Sequence, residues 1–348
     1  MKELIYQEVM NEKYNRQKQI PNLETHVSGG AIHIGKVSPG CEWCFTGESA
    51  PFSGGGVQIG AKCMSNCSVC YYDRNRPEQT REQTNSIITD HFFYKLTGNK
   101  YKAFAYQSSG ETLLYLNDLE KVMAIHKAMD KEQGRQMYHH LYTNGIPASP
   151  DVLQRLKDGG VHELRFHLTA SSSSKKVIQN MYNAAKMGFA ITIEEPSYPP
   201  NREEIFNLLP ILEDVGGKHL DMVEVQLTES NMPDIEREYP EGRYFRDHYP
   251  QLYDEGLTYD IMEEVNKKGY HFSVMDCNSG VERYRQNKAR VGFDIKTLEG
   301  LSAPFPYEEP KIDLEWWYKE NQEKLAQRIV DGTAFTDMVY VNKIPEDL

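Results

Sequence analysis

Between residues 57 and 230 the hydrophobic pattern alternates between two periods. Short runs with an apolar residue at every second position give way to longer stretches with apolar residues three and four apart. A period of two belongs to strands and one near 3.6 to helices. The strand candidates are GVQIGAK, YKAFAYQSSGE, QMYHHLYTNG, HELRFHLTA, FAITIEE and DMVEVQLTE, six in all. Between them lie PEQTREQTNSIITDHFFYKL, residues 113–129, residues 150–158, SKKVIQNMYNAAKMG and REEIFNLLPILEDVGG, each patterned as a helix. Ser149 is placed to cap the third helix, with Pro150 at its first position and Gly159 and Gly160 at its end. Regular strand–helix alternation predicts a parallel sheet with right-handed crossovers, either a barrel or a doubly wound sheet.

Two strands favour the barrel. In HELRFHLTA, Glu163, Arg165 and His167 share one face and Leu164, Phe166 and Leu168 the other; in the sixth strand Glu224, Gln226 and Thr228 oppose Val223, Val225 and Leu227. A parallel strand buried on both sides should be apolar on both. A polar face under covering helices points instead to a lumen that holds polar ligands, with Tyr142 as a further candidate for its wall. His139 and His140 are neighbours in a strand, so at most one of them enters the lumen.

The flanks read differently. Residues 1–25 pattern as a charged amphipathic helix without evident chemistry. Residues 26–60 are rich in glycine, including Gly54, Gly55 and Gly56, which implies turns and a loop placed as a lid over the site. No Lys-Ser/Thr follows the glycines, so no phosphate loop is read there. Beyond Glu229 a Tyr- and charge-rich connection leads to a helix over 259–268 and a last strand, YHFSVMDCN. The run Arg283, Arg285, Lys288, Arg290 reads as a solvated helix face or as an anchor for a substrate anion. Residues 311–330 form a helix whose Trp316, Trp317 and Leu325 pack on the barrel or on a second subunit, as in a homodimer.

Composition narrows the classes. A chain of 348 residues with a formal net charge of −12 can bury a sizeable core and lacks the surplus of Lys and Arg that general nucleic-acid binding draws on. No run approaches a membrane span, and the polar N-terminus has no signal-peptide core, so a cytoplasmic protein without membrane contact is expected. Six cysteines are too few for a disulfide scaffold, and they cluster, which fits a reducing compartment.

That clustering carries the chemistry. GAKCMSNCSVCYYD places Cys63, Cys67 and Cys70 within eight residues. Thiolates at this density select iron–sulfur clusters or zinc, and both metals ordinarily take four ligands. With three from the protein, one coordination position is left for a substrate or cofactor. The competing reading joins Cys41 and Cys44 to Cys67 and Cys70 as the two CxxC pairs of a zinc ribbon in a binding or scaffold protein, which leaves Cys63 unused. An iron–sulfur electron carrier is a third class.

On the CxxxCxxC loop, on Ser109-Gly110-Glu111 at the end of the second strand and on the six β/α units, the chain resembles the radical S-adenosylmethionine (SAM) superfamily. The resemblance implies a partial (β/α)6 TIM-like barrel. It implies a [4Fe–4S] cluster on Cys63, Cys67 and Cys70 whose open iron is chelated by SAM. Ser109, Gly110 and Glu111 would meet the SAM amino group, Arg165 its carboxylate, and Glu194 (or Glu195) the ribose; Arg165 is equally read as a lumen salt bridge to Glu163 or Glu194. The residue before the last cysteine is usually aromatic in the family and is Val69 here, so Tyr71 or Tyr72 would pack on the adenine. The activity implied is reductive SAM cleavage to a 5′-deoxyadenosyl radical, under anaerobic conditions, with a reductant such as flavodoxin or ferredoxin.

Cys277, at the end of the last strand, is a candidate hydrogen donor, a partner of Cys41 and Cys44 on an auxiliary metal site, or an ordinary core residue. The expected layout is an N-terminal extension over 1–56, the core over 57–230, a substrate-side extension over 231–295 and a helical tail over 296–348. With no length for a cobalamin domain and no Cys-rich C-terminal module, a small-molecule substrate is favoured, in a rearrangement, carbon–carbon cleavage, dehydrogenation or epimerisation. A peptide- or RNA-modifying enzyme is the alternative.

Overall fold

The computed structural model describes residues 1–25, 32–45, 49–50, 57–96, 102–134, 136–169, 174–246 and 250–277. The basic run 283–290, the tail helix with its two tryptophans, and Gly54, Gly55 and Gly56 lie outside these residues. The chain opens with β1 (Lys2–Leu4), α1 (Tyr6–Gln17), β2 (Leu23–Thr25), β3 (Ile32–Ile34), α2 (Pro39–Phe45) and β4 (Ser49–Ala50). The repeating part follows as β5 (Val57–Gln58), α3 (Arg81–Leu96), β6 (Ala103–Gln107), α4 (Leu116–Gln133), β7 (Tyr138–Thr143) and α5 (Pro150–Gly159). It continues with β8 (Glu163–Phe166), α6 (Lys175–Lys186), β9 (Ala190–Pro196), α7 (Arg202–Asp214) and β10 (His219–Val223). The last described elements are α8 (Met232–Glu238), β11 (Arg243–Arg246), β12 (Pro250–Leu252), α9 (Leu257–Lys268) and β13 (Ser273–Asp276).

Strands β5 to β10 are parallel neighbours in chain order, β13 extends them in parallel beyond β10, and β4 shares the outer edge of β6 with β5. This is the partial barrel expected from the six alternations. Two antiparallel strands of the N-terminal segment, β3 and then β2, continue the sheet past β13. The local signals explain the helix ends: the Ser149 side chain accepts from the Val152 N–H, and Gly160, with φ +89°, closes α5 in the left-handed conformation.

Alternation sorts the strands into two faces. Leu141, Leu164, Phe166, Ile191, Ile193, Leu220, Met222 and Val274 are buried together with Leu153, Leu156, Met181, Leu208, Leu212 and Val265 from the covering helices. Burial of this continuous apolar layer is the main stabilising term of the fold. The opposite face of β7 to β10 carries Tyr138, His140, Tyr142, Glu163, Arg165, Thr192, Glu194, His219 and Asp221, and it looks into the barrel. His140 is therefore the lumen member of its pair, while His139 bonds the Tyr106 hydroxyl behind the sheet.

Three expectations are corrected. The first 25 residues are two short strands flanking α1, with β1 pairing to β11 in a separate three-stranded sheet, a partnership no local pattern announces. The connection after β10 contains α8, β11 and β12. The sixth strand runs over 219–223, earlier than its apolar alternation suggested, so Asp221 takes the lumen position. Glu224 leaves the sheet and pairs with Lys13 of α1 at 2.6 Å, and Gln226 forms an isolated bridge to Gln251.

Candidate active site

The cysteine loop leaves the C-terminal end of β5 and lies against the turn that follows β6. Two backbone bonds lock them together: Ser109 N–H donates to the Gly60 carbonyl at 3.2 Å and Glu111 N–H to the Lys62 carbonyl at 2.8 Å. A Cβ on Gly110 would stand 2.0 Å from the Lys62 carbonyl oxygen, so this position admits only glycine. The Ser109–Gly110–Glu111 turn is thus the cradle of the cysteine loop.

Glu111 is 1% exposed. Its carboxylate accepts from Leu113 N–H at 2.9 Å, the Thr143 hydroxyl at 2.6 Å and Asn144 N–H at 2.7 Å, and burial raises its pKa. These bonds cap the turn 112–115 and tie β6 to the end of β7. The carboxylate that the resemblance gives to a SAM ammonium thus has three donors from the protein.

Cys63 is exposed, and Cys67 and Cys70 are half-buried. Burial, followed by the charges of Cys70 and Cys63, pushes the Cys67 thiol up to about 11. Three cysteines gathered in eight residues on one loop form a soft donor set, which fits an iron–sulfur cluster. Among the described residues no three His, Cys, Asp or Glu side chains stand where they could share one metal ion. A cubane does not ask for that, since each cysteine takes a different iron. Val69 packs towards Tyr198, Val225 and Leu252. Tyr72 accepts from Gln58 at 2.9 Å, carries the Arg76 guanidinium over its ring, and lies 4.3 Å, ring to ring, from Tyr71.

Below the loop, Arg165 is the centre of the lumen. Its Nε lies 2.9 Å from Glu163, as an ion pair without an aligned hydrogen bond. Nη1 donates to Asp221 at 2.9 Å and lies 3.6 Å from Glu194. Nη2 donates to Ser38 Oγ at 2.7 Å and Cys41 Sγ at 3.0 Å, and the Cys41 thiol donates on to Asp221 at 3.3 Å. Arg165 makes the lumen salt bridges read from the sequence, with Asp221 as a partner the pattern missed. Burial pushes Asp221 and Glu194 up to about 7 against the pull of Arg165. Glu163, equally buried, is held down at about 2 by the same guanidinium.

Glu194 faces the lumen and also stands 3.6 Å from His167. Glu195 points the other way and accepts the backbone N–H groups of Leu168 and Thr169, at 2.5 and 3.1 Å. Strand parity thus separates a lumen carboxylate from a structural one.

Ser38 and Cys41 belong to α2 and its entry, so this part of the glycine-rich segment reaches the lumen residues Arg165 and Asp221. Ala103 and Ala105, small residues on the inner face of β6, leave space for it. A Cβ on Gly40 would meet His140 Nδ1 at 2.8 Å and Arg165 Nη2 at 3.0 Å. Cys41 is buried, and burial holds its thiol well above the usual range. Its thiol is engaged with Asp221 and Arg165 in the lumen. The Cys44 side chain lies outside the described residues. Cys277 follows β13 and packs on Val37, Cys41 and Met275, which brings it to the same inner corner as Cys41.

No family model matches the chain, and no curated protein matches it. Among solved structures it is similar to SuiB of Streptococcus suis bound to S-adenosylmethionine, with 10% identity over 63% of this chain and 48% of that one and a TM-score of 0.45. It is also similar to native anSMEcpe with bound AdoMet, with 14% identity over 63% of this chain and 62% of that one and a TM-score of 0.44. A third is the radical S-adenosylmethionine methyltransferase TsrM of Kitasatospora setae, with 10% identity over 53% of this chain and 40% of that one and a TM-score of 0.38. The matches span less than two thirds of each of these structures.

Proposed function

We propose that the chain is a radical SAM enzyme, with Cys63, Cys67 and Cys70 as the ligands of a [4Fe–4S] cluster and SAM on the open iron. The observation that carries this reading is the seat of the three-thiol loop. It lies at the C-terminal end of a parallel barrel, where such folds place their chemistry, locked backbone to backbone on the Ser109–Gly110–Glu111 turn. SAM bound to such a cluster supplies a 5′-deoxyadenosyl radical when an electron arrives from a reductant of the flavodoxin or ferredoxin kind.

The chain's own residues have other tasks. Backbone groups of the Ser109–Gly110–Glu111 turn stand nearest the loop and are the candidates for a SAM amino group. Glu194, at the upper end of the lumen network and not within 3.5 Å of Arg165 or His167, is the candidate for the ribose hydroxyls. Tyr71 and Tyr72 offer stacking surface to the adenine. Arg165 holds Asp221 in place through Nη1, has no aligned hydrogen bond at Nε, and is the candidate for the SAM carboxylate. Cys277 is the candidate hydrogen donor at the lumen corner.

A small-molecule substrate is the primary reading. A peptide is the second, favoured by one feature: Met64, Tyr71 and Leu114, 47%, 48% and 43% exposed, all lie on or beside the loop and offer apolar contacts outside the lumen. Anaerobic purification and reconstitution test the whole. The expected result is about four irons per chain and 5′-deoxyadenosine from SAM plus dithionite, both lost in C63A. Colourless protein with stoichiometric zinc, or C63A that keeps its metal, rejects it.

A further inference from the structure

We propose that Tyr115 is a positioning residue for the metal centre: its phenol oxygen gathers the two backbone N–H groups that precede Cys63 and so sets where that thiolate stands relative to Cys67 and Cys70. The inference rests on the reading of the loop as an iron–sulfur site.

Residues 60–62 belong to no strand or helix, yet each of their six backbone polar groups has a partner. On the carbonyl side, Gly60 accepts from Ser109 N–H at 3.2 Å and Ser108 Oγ at 3.0 Å, Ala61 from Arg76 Nη2 at 3.1 Å, and Lys62 from Glu111 N–H at 2.8 Å. On the amide side, Gly60 N–H donates to Gln79 Oε1 at 2.7 Å. Ala61 and Lys62 both donate to the Tyr115 hydroxyl oxygen, at 3.0 and 2.6 Å, and the Ala61 N–H is shared with Glu78 Oε1 at 3.3 Å. The hydroxyl proton is engaged elsewhere, donated to Glu78 Oε2 at 2.7 Å, so the oxygen is oriented to accept.

In an extended chain, successive N–H groups point to opposite sides. Two that converge on one atom demand a curled backbone, and the phenol oxygen is the atom that imposes the curl. Gly60 makes the approach possible: it has φ +82°, and a Cβ there would fall 1.9 Å from the Tyr115 ring. Cys63 is the next residue after the clamp. Among the described residues its sulfur accepts from Ser65 N–H at 3.4 Å and Asn144 Nδ2 at 4.0 Å, and it is exposed, so burial does not fix it. The backbone just before it does.

The test is Y115F, which keeps the ring on Gly60 and removes only the oxygen. In the metal-free protein, hydrogen exchange at the Ala61 and Lys62 amides is expected to speed up about tenfold, while protection in β7 and β8 stays at the parent's level. After anaerobic reconstitution, Y115F is expected to release iron to a chelator at least about fivefold faster than the parent and to show an altered EPR spectrum of the reduced cluster. Unchanged amide exchange rejects the clamp. Faster exchange with parental iron release and EPR rejects its role at the metal. A parent that takes up no iron rejects the iron–sulfur reading and this role with it, whereas a parent that holds iron beside an unaffected Y115F rejects this inference alone.

Discussion

Asp221 and Glu163 show how far two buried carboxylates on one guanidinium diverge. Arg165 holds Glu163 down at about 2, whereas burial leaves Asp221 up at about 7. A group whose folded pKa lies above its unfolded value near 3.9 favours folding fully at low pH, and that contribution is lost as pH rises through about 7. The parent is therefore expected to lose stability between about pH 4 and pH 7 through Asp221, and D221N should flatten this part of the curve in urea unfolding measured at successive pH values. An equal slope in parent and variant would remove Asp221 from the account. The sequence identified Arg165, Glu163 and Glu194 by strand parity but missed Asp221. The missing information was one of register: the alternation after Val223 belongs to chain that has already left the sheet.

The elements of the barrel were legible for a simple reason. The helices α5, α6 and α7 and the longer strands between them carry their own periods, and Ser149, Pro150 and Gly160 mark a helix end by local chemistry alone. The inner plug was not legible. Nothing in Ser38-Pro39-Gly40-Cys41 announces a helix that enters a lumen, because its partners His140 and Arg165 lie far along the chain, 100 residues from Gly40 and 124 from Cys41. Two glycines test this level. G110A places a methyl against the Lys62 carbonyl, so the loop or the turn must move; a destabilisation of about 1–3 kcal/mol and loss of iron retention on reconstitution are expected. G40A places one against His140 and Arg165, and a smaller loss, about 1 kcal/mol, is expected because side chains yield more readily than backbone. Denaturant titration of both variants checks the order.

For the whole molecule, α1 is a tie that no local pattern predicts. Lys13, 1% exposed, pairs with Glu224 at 2.6 Å and lies 3.9 Å from Asp254, while Gln17 reaches Tyr259, which in turn donates to Asp276 at 2.6 Å. These contacts join the N-terminal helix to the end of β10, the start of α9 and β13. Burying a lysine among carboxylates is no stability gain by itself, but removing it strands the acids. K13M is expected to cost about 3–5 kcal/mol in chemical denaturation, and pairing it with E224Q to recover part of that loss. Recovery by the double variant is the outcome that assigns the cost to the stranded charge.

The main sheet runs from β2 to β4 and β5 as an arc, and among the described residues its two ends do not pair. A closed cylinder admits guests only from above or below, through openings whose width the strand count sets. An arc has a flank as well. The spacing of its two margins is not set by hydrogen bonds between them among the described residues, so it can change while every strand keeps its neighbour.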